Sequence, residues 1–280
     1  MTELQRKTII VDGLATGYLE AGQGDAVVLL HGGEFGVNAE LGWENNIAAL
    51  AEHYRVFALD MLGFGDSAKV VDFNDGRGMR IRHIARFCAS VGAHSANFVG
   101  NSMGAINLFV DATSKSPVLP ARSLVMICGG GEMQHNEHLA ALYDYDATLS
   151  GMRRIVEALF CDPSYPADDA YVQRRYESSI APGAWEALAA ARFRRPGLEQ
   201  PPLPSSARRY ERIAVPTLVV EGEGDKLLPP GWSAEIADQI AGGRSIVVPN
   251  AGHCPQIEQP SVVNHALLDF LADVQRKVSA

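Results

Sequence analysis

Ser102 lies in Gly100-Asn101-Ser102-Met103-Gly104, a Gly-x-Ser-x-Gly pattern. Two glycines permit a turn too tight for Cβ atoms, and such a turn between a strand and a helix lifts the serine hydroxyl above the end of the strand. Residues 97–100 read as a strand and residues 105–113 as a helix. The helix then points its N-terminus at the site, so the Met103 N–H can donate to an oxyanion developing beside Ser102. Outside that context the same five residues would be a turn without chemistry. A serine hydroxyl needs a base, and the base needs an acid to orient it. Of the eight histidines, only His31 and His253 directly follow expected strands, and His31 comes too early in the chain for the base. In a strand–turn–helix serine site the expected order is serine, acid, histidine. Asp225, in Gly222-Glu223-Gly224-Asp225 after an expected strand, fits that order, with Glu221, Glu223 and Glu132 as the other candidates for the acid. His31-Gly32-Gly33 follows an earlier strand, and an N–H near Gly33 supplies the second donor of an oxyanion hole.

Other features read as structural. Gly63-Phe64-Gly65 lacks the third glycine of a dinucleotide loop. His135 and His138 lack a third metal ligand at suitable spacing. Cys254 beside His253 reads as a packing residue, and the tyrosines beyond residue 132 as core.

The elements that must position these groups alternate. Short apolar strands are expected at residues 8–11, 16–20, 26–31, 55–60, 97–100, 122–128, 217–221 and 245–248. Helical spacing appears near residues 46–53, 80–91, 105–113, 233–240 and 261–274. Buried strands alternating with amphipathic helices imply a mostly parallel sheet covered on both faces. Residues 132–206 differ: they are rich in Tyr, Arg, Ala and Asp, contain no buried strand, and close in a proline-rich stretch at 196–204. They read as a helical lid inserted in a core made of residues 1–131 and 207–280. The chain has 280 residues, 47% hydrophobic and 20% charged, enough for one sizeable domain with an insertion. A net charge of −9 argues against a nucleic-acid partner, which demands clustered Lys and Arg. Four scattered cysteines, no apolar leader and no membrane-length run point to a cytoplasmic protein without disulfides or a membrane partner. No metal or organic cofactor is implied.

These motifs together resemble the α/β-hydrolase superfamily over nearly the whole chain. His31-Gly32-Gly33, the run from Asp60 to Ser67, the Ser102 pentapeptide, Gly-x-x-Asp-x-x-x-Pro ending at Pro229 and the run from Gly252 to Pro260 occur in the superfamily's order. Within it, Asn101 before the serine, Trp43-Glu44-Asn45 and Arg175-Tyr176-Glu177 are similar to the meta-cleavage product hydrolases, which break carbon–carbon bonds in bacterial degradation of aromatics. The resemblance implies that Arg175 grips a substrate carboxylate, that Asn45 and Asn101 hold the dienol end, and that the protein forms a homodimer. Two positions depart from that family: Glu34 stands where a third glycine is usual, and Cys254 where a tryptophan is usual. An acidic Glu34 at the mouth disfavours a dianionic substrate unless it points away.

The activity expected from the resemblance is hydrolysis of a 2-hydroxy-6-oxo-hexa-2,4-dienoate. A carboxylesterase or lactonase would use the same three residues, and a small-molecule receptor is a third reading of the fold. A serine at the elbow argues against dehalogenase or epoxide hydrolase chemistry, which uses a carboxylate there on this fold.

Overall fold

The apolar runs become the inner strands of one sheet. The computed structural model describes residues 3–192 and 209–278. Its strands are β1 (Gln5–Val11), β2 (Leu14–Ala21), β3 (Ala26–Leu30), β4 (Arg55–Leu59), β5 (Ala96–Asn101), β6 (Ala121–Ile127), β7 (Thr217–Gly222) and β8 (Arg244–Val248). They lie in the order β1-β2-β4-β3-β5-β6-β7-β8. β2 runs antiparallel to β1 and β4, and the other pairs are parallel. β3, β5 and β7 are buried along their whole length, as continuous apolar runs covered on both faces must be. The chain leaves β3 for β4 on one side and then crosses to β5 on the other. The crevice above the carboxyl ends of β3 and β5 is thus a topological switch point, where open α/β sheets bind ligands.

The helices are α1 (Ala39–Trp43), α2 (Ile47–Ala51), α3 (Gly76–Ser90), α4 (Met103–Ala112), α5 (Glu137–Tyr143), α6 (Leu149–Leu159), α7 (Ser164–Ala167), α8 (Asp169–Ser179), α9 (Ala184–Arg192), α10 (Trp232–Ala237), α11 (Pro255–Glu258) and α12 (Pro260–Val278). α3 starts four residues before the apolar spacing suggests, because Asp75 caps it by accepting from the Gly78 N–H at 3.0 Å. α1 and α11 are too short for periodicity to reveal. Among the described residues, none of this chain's helices is long and apolar enough to cross a membrane.

Helices α5 to α9 fill the interval between β6 and β7, with no strand among the described residues there. The proline-rich stretch 196–204 and the expected lid boundary at 206 lie outside the described residues. In α6, Thr148 accepts from the Gly151 N–H at 2.9 Å, and Met152, Ile155, Val156 and Leu159 line one buried face. Each such side chain contributes about 1.5–3 kcal/mol when buried. In α8 the buried face carries Tyr171, Val172, Arg175 and Ser179, an apolar stripe interrupted by a charge.

The end of α6 is tied to the sheet. The His253 N–H donates to Leu159 O at 2.7 Å. Lys226 Nζ donates to Glu157 O at 2.7 Å and Phe160 O at 2.9 Å. One oxygen of Glu258 accepts from the N–H groups of Cys161 and Asp162 at 2.7 and 2.8 Å, and the other from the Gly252 N–H at 2.5 Å.

Candidate active site

Ser102 occupies the turn between β5 and α4 with φ 50° and ψ −112°. A side chain held in that sparsely populated region costs of order 1–3 kcal/mol, supplied by the surrounding contacts. A Cβ built on Gly100 would fall 2.5 Å from the Gly104 carbonyl carbon, and one on Gly104 would strike Leu30 O, so both glycines are required by close approach. The Ser102 N–H donates to Ile127 O at 2.8 Å and the Gly104 N–H to His31 O at 3.2 Å, which fixes the turn between its neighbouring strands.

His253 Nε2 lies 2.9 Å from Ser102 Oγ, and its Nδ1 lies 2.8 Å from Asp225 Oδ2. Both interactions are satisfied when Nδ1–H donates to the carboxylate and Nε2 accepts the serine proton. The side chains of His253 and Asp225 are 1% and 2% exposed, so no solvent competes for these bonds. Burial alone would discharge His253, but the Asp225 charge and hydrogen bond, with a smaller contribution from Glu34, raise it above the ordinary imidazole value. Asp225 Oδ1 accepts from the Leu227 N–H at 2.8 Å, which holds the carboxylate plane. The other acids are placed elsewhere. Glu221 accepts from Gly231 N–H, Ser233 N–H and Ser233 Oγ–H and serves the start of α10. Glu223 accepts from the Asn250 N–H at 3.3 Å, and Glu132 is exposed.

Gly33 sits against Met103, since a Cβ on Gly33 would lie 2.9 Å from Met103 Cβ. Met103 is the first residue of α4, and the N–H groups of a helix's first turn have no partner within the helix. His31 shapes this loop. Its Nε2 accepts from the Met61 N–H at 3.1 Å, so its Nδ1–H donates to Gly32 O at 2.8 Å. Burial pushes His31 below its ordinary value, toward a neutral ring.

Arg175 is fully buried and points at the loop after β3. Its Nη2 donates to Glu34 Oε1 at 2.8 Å, and its Nη1 to Tyr171 Oη at 3.3 Å. Gly36, with φ +80°, lets the chain pass where any Cβ would strike the Arg175 carbonyl oxygen, so α8 rests directly on this loop. Burial opposes both charges of the pair. Arg175 nonetheless keeps its proton beside the Glu34 carboxylate, and its own charge keeps Glu34 below the usual carboxylate range. Burial also pushes the Tyr171 phenol up to about 12. Glu34 therefore points inward, at Arg175 itself. Neither Glu34 nor Tyr171 was among the expected binding residues. The glutamate in a glycine position was the available signal for one, and the four-residue spacing from Arg175 for the other.

Asn101 is buried, with its Nδ2 donating to Ile127 O at 3.3 Å and His253 O at 3.0 Å. Its amide donors thus tie the serine turn to the histidine loop. Cys254 Sγ lies 3.9 Å from Asn101 Oδ1, and burial pushes the thiol well above its ordinary value, so it is a neutral packing group. Asn45 is exposed on the turn after α1, with its Nδ2 at 3.5 Å from Ile257 O. Trp43 and Asn46, three residues apart on one face, are the buried pair of that turn.

Among the described residues, one group has metal-ligating atoms within 4.8 Å of one another: Cys128, Asp225 and His253. Two of its atoms, His253 Nδ1 and Asp225 Oδ2, already bond each other. His135 is exposed and His138 half-buried at the start of α5, and no such group includes them.

The model of the alpha/beta hydrolase family matches residues 27–266. The chain belongs to that family. This hydrolase is 36% identical over 272 residues to the 2-hydroxy-6-oxo-6-(2'-aminophenyl)hexa-2,4-dienoic acid hydrolase of Metapseudomonas resinovorans, covering 94% of this chain and 91% of the relative. It is 31% identical over 268 residues to the 2-hydroxymuconate semialdehyde hydrolase of Pseudomonas sp. strain CF600, covering 95% and 94%. Among solved structures, the meta-cleavage product hydrolase of Pseudomonas fluorescens IP01 superposes on the hydrolase with a TM-score of 0.83 at 27% identity, over 95% of this chain and 97% of the other.

Proposed function

We propose that this hydrolase cleaves the carbon–carbon bond of a 2-hydroxy-6-oxo-hexa-2,4-dienoate in aromatic degradation, with Ser102 as nucleophile, His253 as base and Asp225 as its orienting acid. The observation that carries the reading is the unbroken hydrogen-bonded chain from Asp225 through His253 to Ser102, in a chain this similar to the aminophenyl dienoic acid hydrolase. The dienol first ketonises. Ser102 Oγ then attacks the 6-oxo carbon and passes its proton to His253 Nε2. The N–H groups of Gly33 and Met103 hold the resulting oxyanion. The bond between C5 and C6 breaks, its electron pair passes through the C3–C4 double bond to the 2-oxo oxygen, that oxygen takes the proton from His253, and 2-hydroxypenta-2,4-dienoate leaves. Water, activated by His253, hydrolyses the acyl group left on Ser102. Arg175 holds the substrate carboxylate from α8. Helices α5 to α9 act as the lid over the site, and Asn101 is a positioning residue that ties the serine turn to the histidine loop.

One observation favours a second reading. The Arg175 charge is already answered by Glu34, as would suit an esterase or lactonase acting on an uncharged substrate. Yellow dienoates bearing methyl, phenyl and aminophenyl ends, run beside a p-nitrophenyl ester, separate the two. Rapid bleaching at low dienoate with slow ester cleavage supports carbon–carbon hydrolysis, and brisk ester cleavage without bleaching replaces it.

A cytoplasmic location accords with the four free cysteines, three of them buried. The homodimer implied by the resemblance has the open β8 edge, where Val247 is exposed, as a place to form. Light scattering of the purified protein tests the assembly.

A further inference from the structure

Arg175 and Glu34 form a buried ion pair, with side chains 0% and 3% exposed. The guanidinium is not saturated. Glu34 reaches it through one oxygen, and the buried Arg175 Nε has no hydrogen-bond partner. A donor therefore remains for a second acceptor at a cation whose charge is already balanced. Glu34 is also confined, because its Oε2 packs where a Cβ on Gly32 would stand.

On the reading that the substrate is a dienoate, its carboxylate and the Glu34 carboxylate must share one guanidinium. Like charges in one desolvated site oppose each other's ionisation, and the group with the higher intrinsic pKa takes the proton. The substrate's 2-hydroxy or 2-oxo acid is the stronger of the two acids. We propose that Glu34 competes with the substrate carboxylate for Arg175, so that a carboxylate binds with uptake of one proton from solvent onto Glu34. The groups facing Glu34 are consistent with this assignment. They are Arg175 and Tyr171 on α8, Arg192 on α9, His253 and Cys254 after β8, and His31 at the end of β3. Of these, Tyr171 and Cys254 are neutral and stay so, and His31 already bonds at both nitrogens. Glu34 thereby becomes a specificity-determining residue: it leaves uncharged ligands unaffected and makes the affinity for carboxylates fall as pH rises.

The test uses Ser102→Ala protein, which binds without turnover, and the phenyl-ended dienoate. Its Kd is measured over about pH 6 to 8 beside that of the Ser102→Ala/Glu34→Gln protein. Linkage makes the first climb up to about tenfold per pH unit more steeply than the second. Titration of the ligand is common to both proteins, and the shift of His253 between them is read from the ester pH profiles of the wild-type and Glu34→Gln enzymes and allowed for, so the remaining difference in slope belongs to Glu34. A second measurement needs no change at residue 34: calorimetry of Ser102→Ala in two buffers of different ionisation enthalpy. The dienoate takes up about one proton more than its methyl ester. Parallel slopes, or equal uptake by acid and ester, overturn the proposal while leaving the carbon–carbon reading standing. Failure of the unaltered enzyme to bleach dienoates overturns both.

Discussion

The ends of the strands and the buried face of α8 solve different problems with the same kind of residue. At the strand ends, a carboxylate and an imidazole are fixed by backbone. Asp225 is held by the Leu227 N–H, His253 by Leu159 O and Asn101, and Ser102 by its neighbouring strands. On α8, a carboxylate and a guanidinium meet through a single side-chain contact, with one donor left over. The first arrangement is complete before substrate arrives. The second is complete only as an ion pair, which a substrate carboxylate would have to disturb if it binds Arg175 as proposed. On the proposed function, chemistry is placed on the rigid region and selection on the adjustable one.

Experiments can break this division, beginning at the strand ends where effects are largest. Ser102→Ala lowers kcat by about 10⁶-fold on dienoate and ester alike, the scale seen when a serine nucleophile is removed. A loss confined to one substrate, measured by bleaching and by p-nitrophenol release, would separate the two chemistries. Asp225→Asn leaves the histidine without its orienting charge and costs about 10⁴-fold in kcat on both substrates. Arg175→Gln should divide them. Dienoate kcat/KM drops by about 10²–10³-fold, from 2–5 kcal/mol lost at a desolvated charge, while the ester changes little. The same substitution leaves Glu34 buried without a partner and costs about 3–5 kcal/mol in stability, read from a urea melt. Equal losses on both substrates would make Arg175 a structural residue.

Smaller effects concern pH and the turn after α1. In the proposed mechanism His253 must be neutral to act as base, and its pKa is raised above the ordinary 6.5. Ester kcat/KM therefore falls as pH drops through an inflection above 6.5. Glu34→Gln removes a negative charge that favours the imidazolium, so the same inflection moves to lower pH. An unmoved inflection would show that the two regions are electrically independent. Asn45→Ala, at an exposed residue, changes kcat/KM by less than about twofold and stability by less than about 0.5 kcal/mol.

What could be read from the sequence follows the same boundary. Ser102, Asp225 and His253 each follow an apolar run that has little choice but to be a buried strand. Chain order then assigns them to one edge of the sheet. Arg175 and Glu34 are 141 positions apart, and their meeting depends on how α8 rests on the loop beside Gly36, which no local pattern encodes. The turn after α1 was only partly legible for a related reason. Motif similarity located the turn, but the three-residue spacing of Trp43 and Asn46 decides which side chains face inward, and Asn45 is out of phase with them.

The hydrogen bonds at the end of α6 have a thermodynamic consequence. Residues 157–162 are joined to the loops that carry Asp225 and His253 through Lys226, Glu258 and the His253 amide. α6 therefore cannot melt while those loops remain native, and its inner amides exchange with deuterium only when the sheet itself unfolds. Breathing of the helices between β6 and β7 is left to the elements that lack such ties, and heating the protein loses α6 and the serine site in one cooperative step.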